Sequence, residues 1–193
     1  MNQDATNIDR IEGFITAREL KERGSYYKAV RATPKGELIK VRHGVYAQPD
    51  SLVSNMVDVE TLVPGGVVCM YSAWSFYGLT TTVAAEICIA IKANRKIVLP
   101  DIVPISIYYW KEEYLGFGIT TCDYSGFRVK ITDIERSVCD ALRYRNKIGL
   151  DLCTEILVSY LKRTDRNLTR LANYSKKLRV GRILNTYLDI YLQ

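Results

Sequence analysis

The chain has 193 residues, is 48% hydrophobic and 25% charged, and carries a formal net charge of +6. That size can bury a core without covalent staples, and the composition is that of a soluble globular protein. Five cysteines with no CxxC pair and a single histidine argue against a disulfide framework, a zinc site and a His-based catalytic triad.

In chain order, residues 4–13 can form a short first helix with Ile8 and Ile11 on one side. Thr16-Ala-Arg-Glu19 has the capping-box spacing and predicts a helix through about Arg23, ended by Gly24. Ser25 is expected to cap a second helix over 25–33, which stops before Pro34. Lys35-Gly36 is turn material, and residues 37–48 read as a two-stranded ribbon turning at His43-Gly44. Ile39, Val41 and Val45 of that ribbon are expected to pack inward. Helix, helix, short turn, helix and hairpin in that order are the elements of a winged helix-turn-helix, with 25–33 as the recognition helix and the ribbon as the wing.

Pro49-Asp50 marks the expected domain boundary, followed by a helix over 51–61 and a buried helix over 67–78. Thr61–Ala85 carries no charge, but Pro64-Gly65-Gly66 and Gly78 interrupt it, so it reads as core rather than as a membrane span. Strand-like runs follow at Glu86–Lys92, Val103–Trp110, Gly118–Cys122 and Phe127–Ile131. Thr132-Asp-Ile-Glu135 repeats the capping-box pattern and opens a helix to about Asn146, with further helices over 150–163, 168–178 and 180–192. The expected fold is α+β: an N-terminal winged helix-turn-helix over 1–49, then a small mixed sheet with a helical C-terminal block over 50–193.

Charge is unevenly spread. Residues 15–47 carry eight Lys/Arg against three Asp/Glu, 51–141 seven against ten, and 142–193 eleven against four. Basic ends around an acidic middle point to an anionic partner such as nucleic acid. On the 25–33 helix, Tyr26, Ala29, Val30 and Thr33 share one face, expected to be core. Ser25, Lys28, Arg31 and Ala32 share the other, with Tyr27 at its flank. Ser25, Tyr27, Lys28 and Arg31 are candidates to reach base edges, and Lys28, Lys35, Lys40 and Arg42 to hold phosphate.

In the second half, Arg143, Arg145 and Lys147 sit near a helix C-terminus, where they either hold phosphate or an acidic partner or complement the helix dipole. The cations between Lys162 and Arg182 read as a solvated face. Pro64-Gly65-Gly66 lacks the Gly-Lys-Ser/Thr of a phosphate loop. Glu86, Lys92 and Asp101 sketch a nuclease-like cluster, yet their spacing does not gather carboxylates on adjacent strand ends. The reading is therefore non-enzymatic, with no metal or cofactor, and metal-dependent nuclease as the alternative from another class.

Three stretches, GELIKVRHGVYAQPD at 36–50, VCMYSAWSFYGLTT at 68–81 and ERSVCDALRYRNKIGLD at 135–151, resemble the AbiEi-type antitoxins and transcriptional regulators of type IV toxin–antitoxin systems. The resemblance implies an N-terminal winged helix domain that represses its own operon by binding double-stranded operator DNA. It also implies a C-terminal domain that counteracts a nucleotidyltransferase-like toxin encoded alongside, in phage defence by abortive infection. Arg143, Arg145 and Lys147 are then the candidate partner-binding residues. A stand-alone regulator whose second domain senses a ligand or dimerises is the runner-up. No apolar stretch follows Met1, so no secretory leader and no membrane partner are expected, and the expected compartment is the cytoplasm.

Overall fold

A computed structural model of the protein describes residues 14–49, 58–99, 103–124 and 127–191, apart from the side chains of Arg42 and Tyr191. The expected helix over 4–13, the boundary at residue 50, most of the helix over 51–61, and Asp101 lie outside those residues. The fold is α+β with two sheets. No helix among the described residues is long and apolar enough to cross a membrane.

Thr16 starts the first helix by the local logic its spacing sets. Its hydroxyl accepts from the Glu19 amide at 3.2 Å, while Glu19 Oε2 accepts from the Thr16 amide at 2.8 Å. The Thr16 amide and then its hydroxyl hold the Glu19 carboxyl below the usual range. Helix α1 runs Ala17–Glu22 and α2 runs Tyr26–Ala32, followed by a 3-10 turn at Thr33–Lys35. Strands β1 (Phe14–Thr16), β2 (Ile39–Arg42) and β3 (Val45–Ala47) form a three-stranded antiparallel sheet in the order β1-β3-β2. Strand β1 was not expected; it pairs Phe14 with Ala47 and Thr16 with Val45, so all three residues of the central β3 are buried. The β2–β3 register slips between Lys40 and Arg42, the mark of a bulge at Val41. Ile15, Leu20, Ala29, Ala32, Leu38 and Tyr46 form the core of these elements. Leu38 thus fills the place expected of Ile39, which is only half-buried.

Helix α3 is one turn, Val59–Leu62. A second sheet contains β4 (Val67–Val68), β5 (Ile87–Lys92), β6 (Ile105–Trp110), β7 (Ile119–Tyr124) and β8 (Phe127–Thr132), in the order β6-β5-β4-β8-β7. It is mixed: β4 runs antiparallel to β5 and parallel to β8, and β5 runs parallel to β6. The expected helix over 67–78 is corrected at its start: Val67-Val68 are the central strand, and the helix α4 is Met70–Phe76. The other helices are α5 (Glu112–Leu115), α6 (Ile134–Ile148), α7 (Leu150–Leu161), α8 (Leu168–Lys177) and α9 (Gly181–Tyr191). Helix α6 is central to this block and packs on α4, α7 and α8. Trp74 on α4 donates its indole N–H to the Ser137 carbonyl at 2.9 Å.

The cap of α6 differs from expectation. Asp133, not Thr132, accepts from the Arg136 amide at 2.8 Å. Thr132 is buried, its hydroxyl 2.8 Å from that of Ser137. Burial pushes the thiols of Cys69, Cys88, Cys139 and Cys153 above the usual thiol range, so these cysteines act as small packing groups.

By packing, the described residues within 1–66, 96–104 and 123–129 group into one compact unit. Those within 67–95, 105–122 and 130–193 group into another.

Candidate nucleic-acid interface

Helix α2 is set by the turn that precedes it. Gly24 adopts φ +66°, a conformation that favours glycine. The Ser25 amide donates to the Leu20 carbonyl at 2.8 Å and the Gly24 amide to Lys21 at 3.0 Å, closing α1 with a Schellman motif. Ser25 is only 7% exposed, and its hydroxyl donates back to the Arg23 carbonyl at 3.2 Å rather than capping α2. It lies on the inner side of the helix, not on the surface where a base-reading group must stand.

The buried stripe of α2 is Ser25, Ala29 and Ala32, flanked by the half-buried Tyr26 and Thr33. Tyr26 closes one edge: burial, and then the neighbouring Tyr26 phenol, push the Tyr46 hydroxyl above its usual range. The helix is therefore turned by most of one residue step, about 100°, from the expected orientation. Val30, expected inside, is 42% exposed, and Ala32, expected outside, is buried. The outward face is Tyr27, Lys28, Val30 and Arg31, with Tyr27 79% exposed. Ala29 and Ala32 share one small core with Ile15, Leu38 and Tyr46, and the short inner side chains are the signal that would have found this orientation.

Lys35 is exposed at the end of the 3-10 turn, where Gly36 takes φ +77° and the Glu37 amide donates to the Ala32 carbonyl. Lys40 is exposed on β2 opposite Tyr46. The hairpin turn is tied to the start of α1 by the Ala17 amide, which donates to the Gly44 carbonyl at 2.7 Å. The Arg42 side chain lies outside the described residues. Of the acids nearby, Glu19 is held in the capping box and Glu22 accepts from Arg18 at 3.0 Å. Tyr27, Lys28, Arg31, Lys35 and Lys40 thus stand exposed on consecutive elements around one small core.

The cations of α6 do not converge. Arg143 and Lys147, four residues apart, share a face, while Arg145 points to the opposite side. The Arg143 guanidinium lies 4.2 Å from the Tyr114 ring centre, and Lys147 Nζ lies 5.7 Å from that of Tyr144. Arg145 donates to the Leu142 carbonyl at 3.1 Å. Of the three, Lys147 is the most open to solvent. Several cations further along are structural in part: Arg170 reaches buried Glu135 at 3.3 Å, Arg163 donates to the Tyr77 carbonyl, and Lys177 Nζ sits 4.8 Å from the Phe117 ring centre.

The stretch ERSVCD encodes a buried polar network. Glu135 accepts from the Tyr160 hydroxyl at 3.2 Å and the Asn167 amide at 3.0 Å. Arg136 pairs with Asp140 and donates to the carbonyls of Tyr114 at 2.7 Å and Phe117 at 3.1 Å. These charged residues organise the α6–α8 block from within rather than presenting a surface.

No protein-family model matches the sequence, and no curated protein matches it.

Proposed function

We propose that the protein is a non-enzymatic, DNA-binding transcriptional regulator that also serves as the antitoxin of a type IV toxin–antitoxin system. The observation that carries the DNA-binding half is the turn-linked α1–α2 pair beside a three-stranded sheet, with Tyr27, Lys28 and Arg31 directed outward from α2. In this reading residues 1–49 form a winged helix-turn-helix. Helix α2 enters the major groove, and Lys35 and Lys40 approach phosphate as the chain leaves it. Strand β1 supports the reading by tying the hairpin's inner strand to the helices.

The antitoxin half rests on the resemblance carried by 68–81 and 135–151. Its structural counterpart is that ERSVCD builds the interior of the α6–α8 block, so that stretch specifies a scaffold on which a partner surface can be presented. Residues 50–193 would hold that surface, with Lys147 and Arg143 as its exposed and half-exposed cations.

The test is a cell assay with two readouts. The full chain is expressed beside a candidate toxin, the product of any adjoining gene that encodes a nucleotidyltransferase-like protein, and a reporter is driven by DNA upstream of the chain's own gene. Growth rescue together with reporter repression supports both halves. Repression without rescue leaves a stand-alone regulator, and rescue without repression removes the DNA-binding half.

A further inference from the structure

Helix α2 carries two apolar groups where a purely electrostatic contact needs none. Tyr27 is 79% exposed and Val30 is 42% exposed, and they flank the same outward line as Arg31. Neither is required by the core: Ala29 and Ala32 fill the inner side at 0% and 2% exposure. Tyr27 is also held in place, its ring edge-on to Tyr26 with centres 5.6 Å apart, while Lys21 Nζ lies 5.3 Å from the Tyr26 ring centre. The apolar pair lies on the same outward face as Lys28 and Arg31 and is followed in the chain by the exposed Lys35 and Lys40.

Cations standing beside an apolar pair on one helix face call for a partner that offers anions next to an apolar group. In the major groove of duplex DNA the phosphates form the rim. The base-pair edges offer hydrogen-bonding groups and a single apolar one, the C5 methyl of thymine. We propose that Val30 and Tyr27 form a thymine-methyl pocket, so that the preferred DNA carries thymine at the position Val30 meets, beside the base read by Arg31. The inference rests on the DNA-binding reading of α2 and goes further by fixing the chemistry of one base. It also separates duplex DNA from RNA, whose uracil lacks the methyl and whose deep major groove excludes side chains.

The experiment uses the full chain and a duplex enriched from a randomised DNA library. Each thymine of that duplex is then replaced in turn by deoxyuridine, which removes the methyl and nothing else. At one or two positions the replacement is expected to weaken binding by roughly three- to fivefold, the value of one buried methyl. In Val30→Ala the same replacement is expected to change binding clearly less, because one of the two groups that meet the methyl is cut back. Val30 is partly exposed and alanine favours helix, so this variant keeps its fold, which an unchanged melting temperature verifies. Tyr27→Ala is expected to reduce the methyl effect at the same position. If binding is sequence-selective but indifferent to every methyl, or if Val30→Ala keeps the full methyl effect, the pocket is overturned while the DNA-binding reading stands. If the library yields no bound duplex, both are overturned.

Discussion

Arg136 and Asp140, one turn apart on α6 and each 1% exposed, form a two-point ion pair in which Arg136 Nε lies 3.1 Å from both carboxylate oxygens. The guanidinium also lies 4.5 Å from the ring centres of Trp110 and Phe117. Two charges removed from water are tolerated because Arg136 Nε serves the carboxylate and its Nη1 donates to the Tyr114 and Phe117 carbonyls. Breaking the pair from either side is therefore costly. Asp140→Ala is expected to lower unfolding free energy by roughly 3–5 kcal/mol. Arg136→Lys is expected to destabilise too, since an ammonium does not reproduce the planar fork that serves Asp140, Tyr114 and Phe117 together. Urea unfolding monitored by tryptophan fluorescence measures both.

The same pair gives a pH signature. Burial, opposed by Arg136, pushes the Asp140 carboxyl up to about 6. A carboxyl whose folded pKa is raised contributes stability that is present below its unfolded pKa and lost as pH rises through the folded value. The stability of the wild-type protein relative to Asp140→Asn should therefore fall between about pH 4 and pH 6. Unfolding midpoints of the two proteins across that range check the sign; a wild-type advantage that grows with pH would contradict it.

Gly118 adopts φ +63°, and a Cβ built there would lie 2.7 Å from Arg136 Cβ. Gly118→Ala is expected to cost about 1–3 kcal/mol by overpacking, in addition to about 1–2 kcal/mol for the left-handed conformation. Gly36→Ala is the control: it takes φ +77°, but its new methyl meets nothing within 4 Å. It should show only the second cost. Equal losses in the two variants would remove the close approach of Gly118 to Arg136 as a constraint.

Local signals were legible in the sequence, and signals set by tertiary packing were not. The Thr16–Glu19 box is complete within four residues, so its spacing alone identifies it. Thr132–Glu135 has the same spacing, but Glu135 is drawn to Tyr160 and Asn167, more than twenty residues away, and Asp133 takes over the cap. Strand β5 shows in the alternating Ile of Glu86–Lys92 and β6 to β8 in strand-like runs, whereas β4 has two residues and β1 three, too few to show a period. Hydropathy assigns Val30 of helix α2 inward, whereas it is 42% exposed. The sheet instead admits the small side chains of Ala29 and Ala32. Lys28 and Arg31 face outward as their charge predicts, unlike the buried Arg136 and Asp140, and Ser25 turns inward because its hydroxyl serves the turn.

Arg31 stands on the outward face of α2, within one turn of Tyr27. If it reads a guanine edge, Arg31→Ala should cost about 1–3 kcal/mol on the preferred duplex and relax selection at one base pair. Binding to the preferred duplex and to its single-base variants measures this. An equal loss on every sequence would make Arg31 a phosphate contact.

The most direct test of the central claim is the salt dependence of duplex binding by the full chain and by single Lys28→Ala, Lys35→Ala and Lys40→Ala variants. Each phosphate contact contributes about −0.9 to the slope of log K against log salt. All three lysines are exposed on or just after the elements assigned to the interface. Each substitution is therefore expected to flatten the slope by about 0.9 units and to weaken all sequences alike, at an unchanged melting temperature. Duplex binding whose slope is untouched by the three substitutions would contradict the account and take α2 and its hairpin out of the DNA interface.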